Sequence, residues 1–375
     1  MHILVTTDTV GGVWTYTREL VTGLLRRGVR VTLVSFGDIP TASQTGWMEE
    51  LRDRGSTAAD FTYFPTAFRL EWMREAPADM EASAEYLLGV IREYRPDLLH
   101  LNQFYYGALD SALPRVVVAH SDVVSWWMCV YGQKPPSSSW LTWYRESVSR
   151  GLARATQVVA PSHWMLEQIE CHYGKPSAGC VIHNGRTPAL FNPHVSKEEK
   201  ILTVGRRWDA GKNAGLLLSE EMPAPVAIVG SDRHPEGHSE GWEEKPVSPN
   251  IRLEPQQDER RMVQLLGRAS IYAATSKYEP FGLAPLEAAL SRCAIVASDI
   301  PSFRELWQGS ALFFRNDDAA DLRRALDRLV RDPALCRSYG NLAYARARRQ
   351  FTADRMVENY MALYQALAPL AMAVA

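Results

Sequence analysis

Short, almost fully apolar runs alternate along this chain with longer segments whose apolar residues recur at helical spacing. HILVT (2–6) is followed by the turn TDTVGG. In Val13 to Arg27, Val13, Tyr16, Leu20 and Leu24 then fall on one helix face. Gly28 stops that helix, and VRVTLVS is the next run. DLLHL (97–101), RVVVAH (115–120), TQVVA (156–160) and CVIH (180–183) continue the series. Strands apolar throughout are covered on both faces, so helices between them predict a parallel sheet. The pattern restarts with KILTVG (200–205), PVAIVG (225–230), SIYAAT (270–275), CAIVAS (293–298) and ALFF (311–314). Between the two series, 188–200 is polar and proline-bearing and reads as a linker. Asp317–Arg331 and Pro333–Arg349 are amphipathic helices, and Ala353–Leu367 is a last helix expected to pack back across the domain junction. The pattern predicts an α/β protein with two Rossmann-like parallel-sheet domains facing a cleft. Their expected bounds are 1–187 and 188–352, with 353–375 returning to the first.

Composition narrows the function classes. A chain of 375 residues exceeds what one core usually serves. A net charge of −2 supplies no global field for nucleic acid. Five cysteines, an odd number without a C-x-x-C, point away from a disulfide framework or zinc site and toward a reducing cytoplasm. The N-terminus lacks a basic n-region and reads as a strand, and no run of about 18 apolar residues would span a membrane.

Candidate chemistry falls on loops at the ends of predicted strands. After SIYAAT comes SKYEPFGLAPLEAA (276–289), with Glu279 on the loop and Glu287 about one turn inside the helix that follows. Pro285 suits a first helical turn, and the N–H groups of Gly282 and Leu283 at that helix end are a ready anion site. The two acids can then face one ligand on either side of a phosphate; an ion pair or helix cap would place acids there equally well. After KILTVG comes RRWDAGKN, in which Arg206 and Lys212 bracket the loop. Only seven of the 41 basic residues are lysine, so a lysine beside Gly211 stands out. Such cations can carry the charge of a leaving diphosphate, and a solvated basic turn is the plainer alternative. The loop lacks the Walker A spacing.

Three further features are weaker. Gly11 and Gly12 let a backbone approach a ligand closely, but their spacing does not fit a nicotinamide dinucleotide site. His120 follows a strand directly, where a lone histidine is more often structural. Trp126 and Trp127, with Trp140 and Trp143 nearby, could stack an acceptor sugar or touch lipid, although core packing explains them as well. No D-x-D triplet occurs, which disfavours a metal–diphosphate site. His234 and His238 have ligand-like spacing, but glycines and a proline make SDRHPEGHSE a polar loop.

Taken together, these residues resemble the retaining glycosyltransferases of family 4, which have the GT-B fold. The resemblance rests on Gly11-Gly12, His120 within HSD, VVAPSHW (158–164), the Asn-Gly turn of HNGRTPALF (183–191), Gly205-Arg206 with Lys212, and SDIPSFREL (298–306). Its most specific part is the E-x7-E signature carried by Glu279 and Glu287. Two departures stand out. Family members usually have a glycine where this chain has Arg292-Cys293, and HSD replaces a direct His-Asp pair, leaving the role of Asp122 open.

The resemblance implies a hexosyltransferase that uses a nucleotide diphosphate sugar and no cofactor or metal, with UDP-sugar the first expectation and GDP-mannose the second. Arg206, Lys212 and the N–H groups across Pro280, Phe281, Gly282 and Leu283 would bind the diphosphate. Glu279 would bind the transferred sugar and Glu287 the ribose. Gly12 would approach the phosphates, and Gly11, Trp126 and Trp127 the acceptor. His120 would orient the donor sugar at its C6 hydroxyl. The acceptor would be a glycan, a lipid-linked sugar or a small molecule, with peripheral contact at the inner membrane if it is lipid-linked. A sugar-nucleotide epimerase or a non-catalytic sugar-nucleotide-binding module on the same scaffold is the alternative.

Overall fold

The computed structural model describes residues 1–53, 60–232 and 248–372. They fall into two compact units. Met1–Ser125, Lys134–Gly185 and the residues from Ala353 make the first, and Trp126–Gln133 with Arg186–Thr352 make the second.

The first unit runs β1 (His2–Asp8), α1 (Gly12–Leu25), β2 (Arg30–Phe36), α2 (Ala42–Asp53), β3 (Phe61–Pro65), α3 (Ala76–Tyr94), β4 (Leu98–Leu101) and β5 (Arg115–Val118). Then follow α4 (Val123–Tyr131), whose residues from Trp126 onward group with the second unit, α5 (Ser139–Arg154), β6 (Gln157–Ala160), α6 (His163–Tyr173) and β7 (Gly179–Val181). The sheet is parallel, in the order β3-β2-β1-β4-β5-β6-β7. Alternate residues of each strand feed two cores: Leu4, Leu99 and Val117 on one face, Ile3, Val5 and Val116 on the other. Gly28, at φ +74°, ends α1 as its position in the sequence predicts.

The second unit runs β8 (Glu198–Val204), β9 (Val226–Val229), β10 (Ile251–Glu254), α7 (Glu259–Arg268), β11 (Ala269–Ala274), α8 (Leu283–Leu290) and β12 (Ala294–Ser298). It continues with α9 (Pro301–Trp307), β13 (Ala311–Phe314), α10 (Ala319–Arg331) and α11 (Pro333–Gln350). Its sheet is also parallel, in the order β10-β9-β8-β11-β12-β13. Both units therefore have a doubly wound sheet. Each has a switch point where strand order reverses, between β1 and β4 and between β8 and β11. Open α/β sheets bind ligands outside the carboxyl ends of strands at such points.

The last helix, α12 (Ala353–Met372), belongs to the first unit. Met356, Val357, Tyr360, Tyr364 and Leu367 complete the core formed by Ile3, Leu20 and Val21. α1 makes room for it at Gly23, where a Cβ would lie 2.5 Å from Val357 Cγ2. Deeper in, His100 lies between Tyr16 Oη, 3.2 Å from its Nε2, and Tyr364 Oη, 2.7 Å from its Nδ1. Burial pushes this imidazole down to about 3, so it is neutral.

The structure differs from the sequence expectation in four places. β3 and β10 escape the hydrophobic pattern because they are short edge strands, and IRLE carries two charges in four residues. The second unit begins at Arg186 because its N–H bonds to Phe351 O (3.1 Å) and its side chain reaches Glu259 and Glu287. Glu198 and Glu199, expected in the linker, already belong to β8. Trp126–Gln133 group with the second unit, where the Trp126 indole donates to Asp209. Arg292 explains the family's glycine: it sits at φ +60°, a left-handed conformation that costs an ordinary residue energy, with its guanidinium 4.7 Å from the Tyr344 ring.

Candidate active site

In the second unit the two loops at the β8/β11 switch point are tied together. Gly211 O accepts from Lys277 N (2.9 Å), and Thr275 Oγ1 donates to Lys212 O (2.9 Å). Lys212 is thereby placed against the β11 loop, with Nζ 2.5 Å from Glu279 Oε2; Ser276 Oγ donates to the same oxygen at 3.2 Å. Gly205, Lys212, Thr275, Ser276, Glu279 and Pro285 line one pocket here. Two cardinal residues of the predicted site, Lys212 and Glu279, thus meet directly.

Arg206 stands on the same loop but is held differently. Its Nη2 lies 2.7 Å from Asp209 Oδ2, and its guanidinium is 4.8 Å from the Trp208 ring. Asp209 accepts from Gly211 N (2.9 Å) and Trp126 Nε1 (3.2 Å) through Oδ1. Burial alone would raise its pKa, but Arg206, Lys212 and these two donors outweigh burial and hold it below the usual carboxylate value. Gly211 is needed for this approach, since a Cβ there would lie 2.7 Å from the Trp126 indole nitrogen. Trp126 therefore supports the cationic loop through its N–H, and Trp127 packs on Tyr131 with ring centroids 4.5 Å apart.

α8 begins at Gly282, whose φ of +87° is favourable only for glycine. No side chain caps α8, whereas Ser138, Ser162, Asp258, Asp318 and Asp332 cap α5, α6, α7, α10 and α11. Its amide dipoles therefore remain suited to an anion. Phe281 anchors the turn by burying its ring edge-on against Phe351, at 5.4 Å. Pro280 lies between Glu279 and this anchor, and Leu283 opens the helix.

Glu287 lies on α8 and meets a residue that the sequence pattern does not single out. Arg186 Nε is 2.8 Å from Glu287 Oε1, and its Nη2 is 2.6 Å from Glu259 Oε1. Arg186 is only 2% exposed and lies 5.5 Å from the Phe191 ring centre. The one available signal is an arginine directly after the Asn184-Gly185 turn. Nothing in spacing links it to an acid on a distant helix.

The remaining candidates lie in the first unit. Gly11, at φ +105°, opens α1 without a side-chain cap, and Gly12 is the first helical residue. His120 follows β5 beside the β1/β4 switch point. Its Nε2 is 2.8 Å from Asn102 Oδ1, and its ring meets Tyr16 edge-on at 4.6 Å. Burial pushes His120 down to about 3, so it is neutral. Asp122 starts α4: Oδ1 accepts from Val124 N (2.9 Å), Ser125 N (3.0 Å) and Tyr173 Oη (2.8 Å), and Ser125 Oγ donates to Oδ2. These bonds make Asp122 an acceptor at the start of α4. His234 and His238 lie outside the described residues. Among the described residues no three His, Cys, Asp or Glu side chains gather as a metal-binding group, and no helix is long and apolar enough to cross a membrane.

Two doubly wound parallel-sheet units of this kind make up the GT-B fold. Family models agree: residues 10–189 match "Glycosyltransferase Family 4" and residues 192–346 match "Glycosyl transferases group 1". The chain belongs to the family 4 glycosyltransferases. It is similar to the lipopolysaccharide core biosynthesis mannosyltransferase LpcC of Rhizobium leguminosarum bv. viciae, 38% identical over 104 residues, or 27% of this chain and 29% of that one. It also resembles alpha-maltose-1-phosphate synthase of Mycobacterium tuberculosis, 32% identical over 110 residues, or 27% and 28% of the two chains. These matches thus span under a third of those relatives' lengths. Among solved structures, sucrose-phosphate synthase from Thermosynechococcus elongatus superposes with a TM-score of 0.79 at 17% identity, over 98% of this chain and 99% of that one. Anabaena HepE in complex with UDP and glucose superposes with a TM-score of 0.73 at 14% identity, over 98% and 100%. At these identities the likeness shows the fold.

Proposed function

We propose that the chain is a metal-independent, retaining hexosyltransferase that takes a hexose from a nucleoside diphosphate donor, a UDP-hexose first and GDP-mannose second, to a hydroxyl acceptor. The observation that carries this reading is the Lys212–Glu279 pair in a pocket at the β8/β11 switch point, with Arg206 on the same loop and the uncapped start of α8 following it. Cations and amide dipoles fixed in advance stabilise charge that develops on a leaving diphosphate. Glu279 accepts hydrogen bonds from sugar hydroxyls, and Glu287 from those of the ribose. In the transfer, the bond from the anomeric carbon to the phosphate oxygen breaks. The acceptor oxygen bonds to the anomeric carbon on the same face, and its proton passes to the leaving phosphate. Complexes of Anabaena HepE with UDP and with UDP-glucose support the donor class. The mannosyltransferase relative keeps GDP-mannose in second place.

The test incubates the purified protein with UDP-glucose or GDP-mannose and a panel of sugar and lipid-linked acceptors, with and without EDTA. A product with the donor's anomeric configuration, formed equally in EDTA, is expected. Loss of transfer in EDTA with recovery on adding magnesium would refute metal independence. An inverted product would refute retention, and free interconverted donor would indicate an epimerase.

A further inference from the structure

The loops that bring Lys212 and Glu279 together are tied a second time, by a residue from a third loop. Among the described residues, four non-glycine residues have a positive φ: Arg95, Asn213, Arg292 and Asp317. Two of these bond to each other although 104 residues separate them: Asn213 Nδ2 donates to Asp317 Oδ1 at 3.1 Å. Asn213 follows Lys212 directly, at φ +49°, and Asp317 lies between β13 and α10, at φ +61°. Only glycine adopts such left-handed backbone without strain, and asparagine and aspartate tolerate it better than most other residues. Glycine at either position would relax the backbone and lose the bond, so the strain is offset by what the two side chains hold. The other carboxylate oxygen of Asp317, Oδ2, accepts from Lys277 Nζ at 2.7 Å. Lys277 stands two residues before Glu279, and its backbone N–H bonds to Gly211 O at 2.9 Å. A ring of bonds is thereby closed: from Lys212 to Asn213, across Asp317 to Lys277, and back to Gly211. Lys212 sits within it, its N–H on Asp209 O and its carbonyl on Thr275 Oγ1, each at 2.9 Å.

We propose that Asp317 is a positioning residue: by bridging Asn213 and Lys277 it sets the spacing of Lys212 and Glu279, and so the rate of transfer, without itself touching the donor. The bridge stands on the hydrogen-bond geometry and the backbone angles alone. Its consequence for the rate rests on the transferase reading above. The side chains of Asp317 and Lys277 are 53% and 20% exposed, and ion pairs open to water add little to stability. Geometry is different, because a small displacement of groups that act on a reacting centre lowers its rate steeply. A weak tie can therefore matter little for folding and much for turnover.

The test uses Asp317→Gly in the full chain, because glycine accepts φ +61° without strain and removes both bonds. Its denaturant midpoint is expected to stay close to that of the wild type; a midpoint shifted far down makes Asp317 a structural residue and counts against the proposal. Hydrogen exchange of the ligand-free protein should show the amides of Lys212 and Lys277 exchanging about fivefold faster, the scale of one exposed ion pair. Wild-type protection at both amides overturns the bridge. Steady-state kinetics with UDP-glucose and GDP-mannose should show kcat lowered by about tenfold, with UDP and GDP affinity within about twofold. Asp317→Asn, which keeps an acceptor for Asn213 and tolerates the same backbone, should recover part of the rate. Asn213→Gly should lower kcat alone yet add nothing to Asp317→Gly, since both cut one bond. A folded Asp317→Gly protein with unaltered kcat, or independent losses that multiply in the double variant, refutes the positioning role. If the wild type transfers no sugar at all, the transferase reading fails instead, and the exchange rates still decide the bridge.

Discussion

The two units hold their candidate site residues by different physics. In the second, ions face ions: Lys212 and Glu279, Arg206 and Asp209, and Arg186 with both Glu259 and Glu287. In the first, His120 and Asn102 are neutral and held by hydrogen bonds anchored on backbone. Fixed charges suit a charged diphosphate, because a bound anion can replace one ion's partner at little cost in desolvation. The contrast also divides the second unit itself. Glu279 lies beside a pocket against a lysine that a donor's phosphates could attract away. Glu287 is gripped by an arginine almost shut off from solvent. Chemically identical acids in one signature are thus an exchangeable partner and a rigid fixture.

The largest expected effect breaks that fixture. Arg186→Gln leaves two carboxylates facing each other where a buried cation stood, and removing one partner of a buried pair costs about 3–5 kcal/mol. Glu259 is 38% exposed, so the lower end is expected, and Glu259→Gln should cost under about 1 kcal/mol. Denaturant unfolding of the full chain measures both. If Arg186→Gln unfolds like the wild type, ion pairing does not organise this part of the site.

Glu279→Ala comes next. It should lower transfer by about a hundred- to a thousand-fold, as loss of a preorganised group that acts on the reacting sugar does. Nucleoside diphosphate binding should stay within about twofold. Glu287→Ala should do the opposite to binding, weakening the nucleoside diphosphate itself by roughly ten- to a hundred-fold, the scale of a hydrogen bond to a charged group. Calorimetry with UDP and GDP, followed by kinetics, separates the two. Equal loss of diphosphate affinity in both variants would erase the distinction between exchangeable partner and fixture.

Much of this was legible in the sequence, for local reasons. Apolar runs long enough to cross a sheet are visible alone, and so are glycines before helices and two acids eight residues apart. Hence β1, β8, β11 and the loops carrying Lys212 and Glu279 could be placed. The short edge strands β3 and β10 could not, because few residues with few buried faces carry little pattern. What holds the site was hidden for a different reason. Arg186 and Glu287, Asn102 and His120, and Trp126 and Asp209 are far apart in the chain and meet only through sheet order. A single sequence has no period that records such a meeting. Asp122 shows the converse: a residue whose role the sequence left open accepts hydrogen bonds at the start of a helix.

The last prediction sharpens the comparison with acid alone. His100 and His120 are both lowered from 6.5 to about 3 by burial, so between those values the unfolded chain binds protons that the folded first unit refuses. Stability from these two groups is whole above pH 6.5 and falls as the pH drops through that window. Glu71 works against them. Burial outweighs its bonds from Tyr105 N and Phe104 N and raises it from 4.5 to about 7, so from pH 7 down to 4.5 the folded state takes up a proton that the unfolded state does not. Between pH 6.5 and 4.5 the net difference among these three groups is one proton, a loss of about 1.4 kcal/mol per pH unit. Below 4.5 Glu71 no longer opposes, and the slope doubles. Asp209, held below its ordinary value, keeps its contribution until the pH falls under about 4. Hydrogen exchange followed peptide by peptide should therefore show β4 and β5 losing protection at pH 5 while the loop after β8 keeps its own. Loss of protection in the reverse order would mean that the ion pairs, not the buried imidazoles, are the acid-sensitive part.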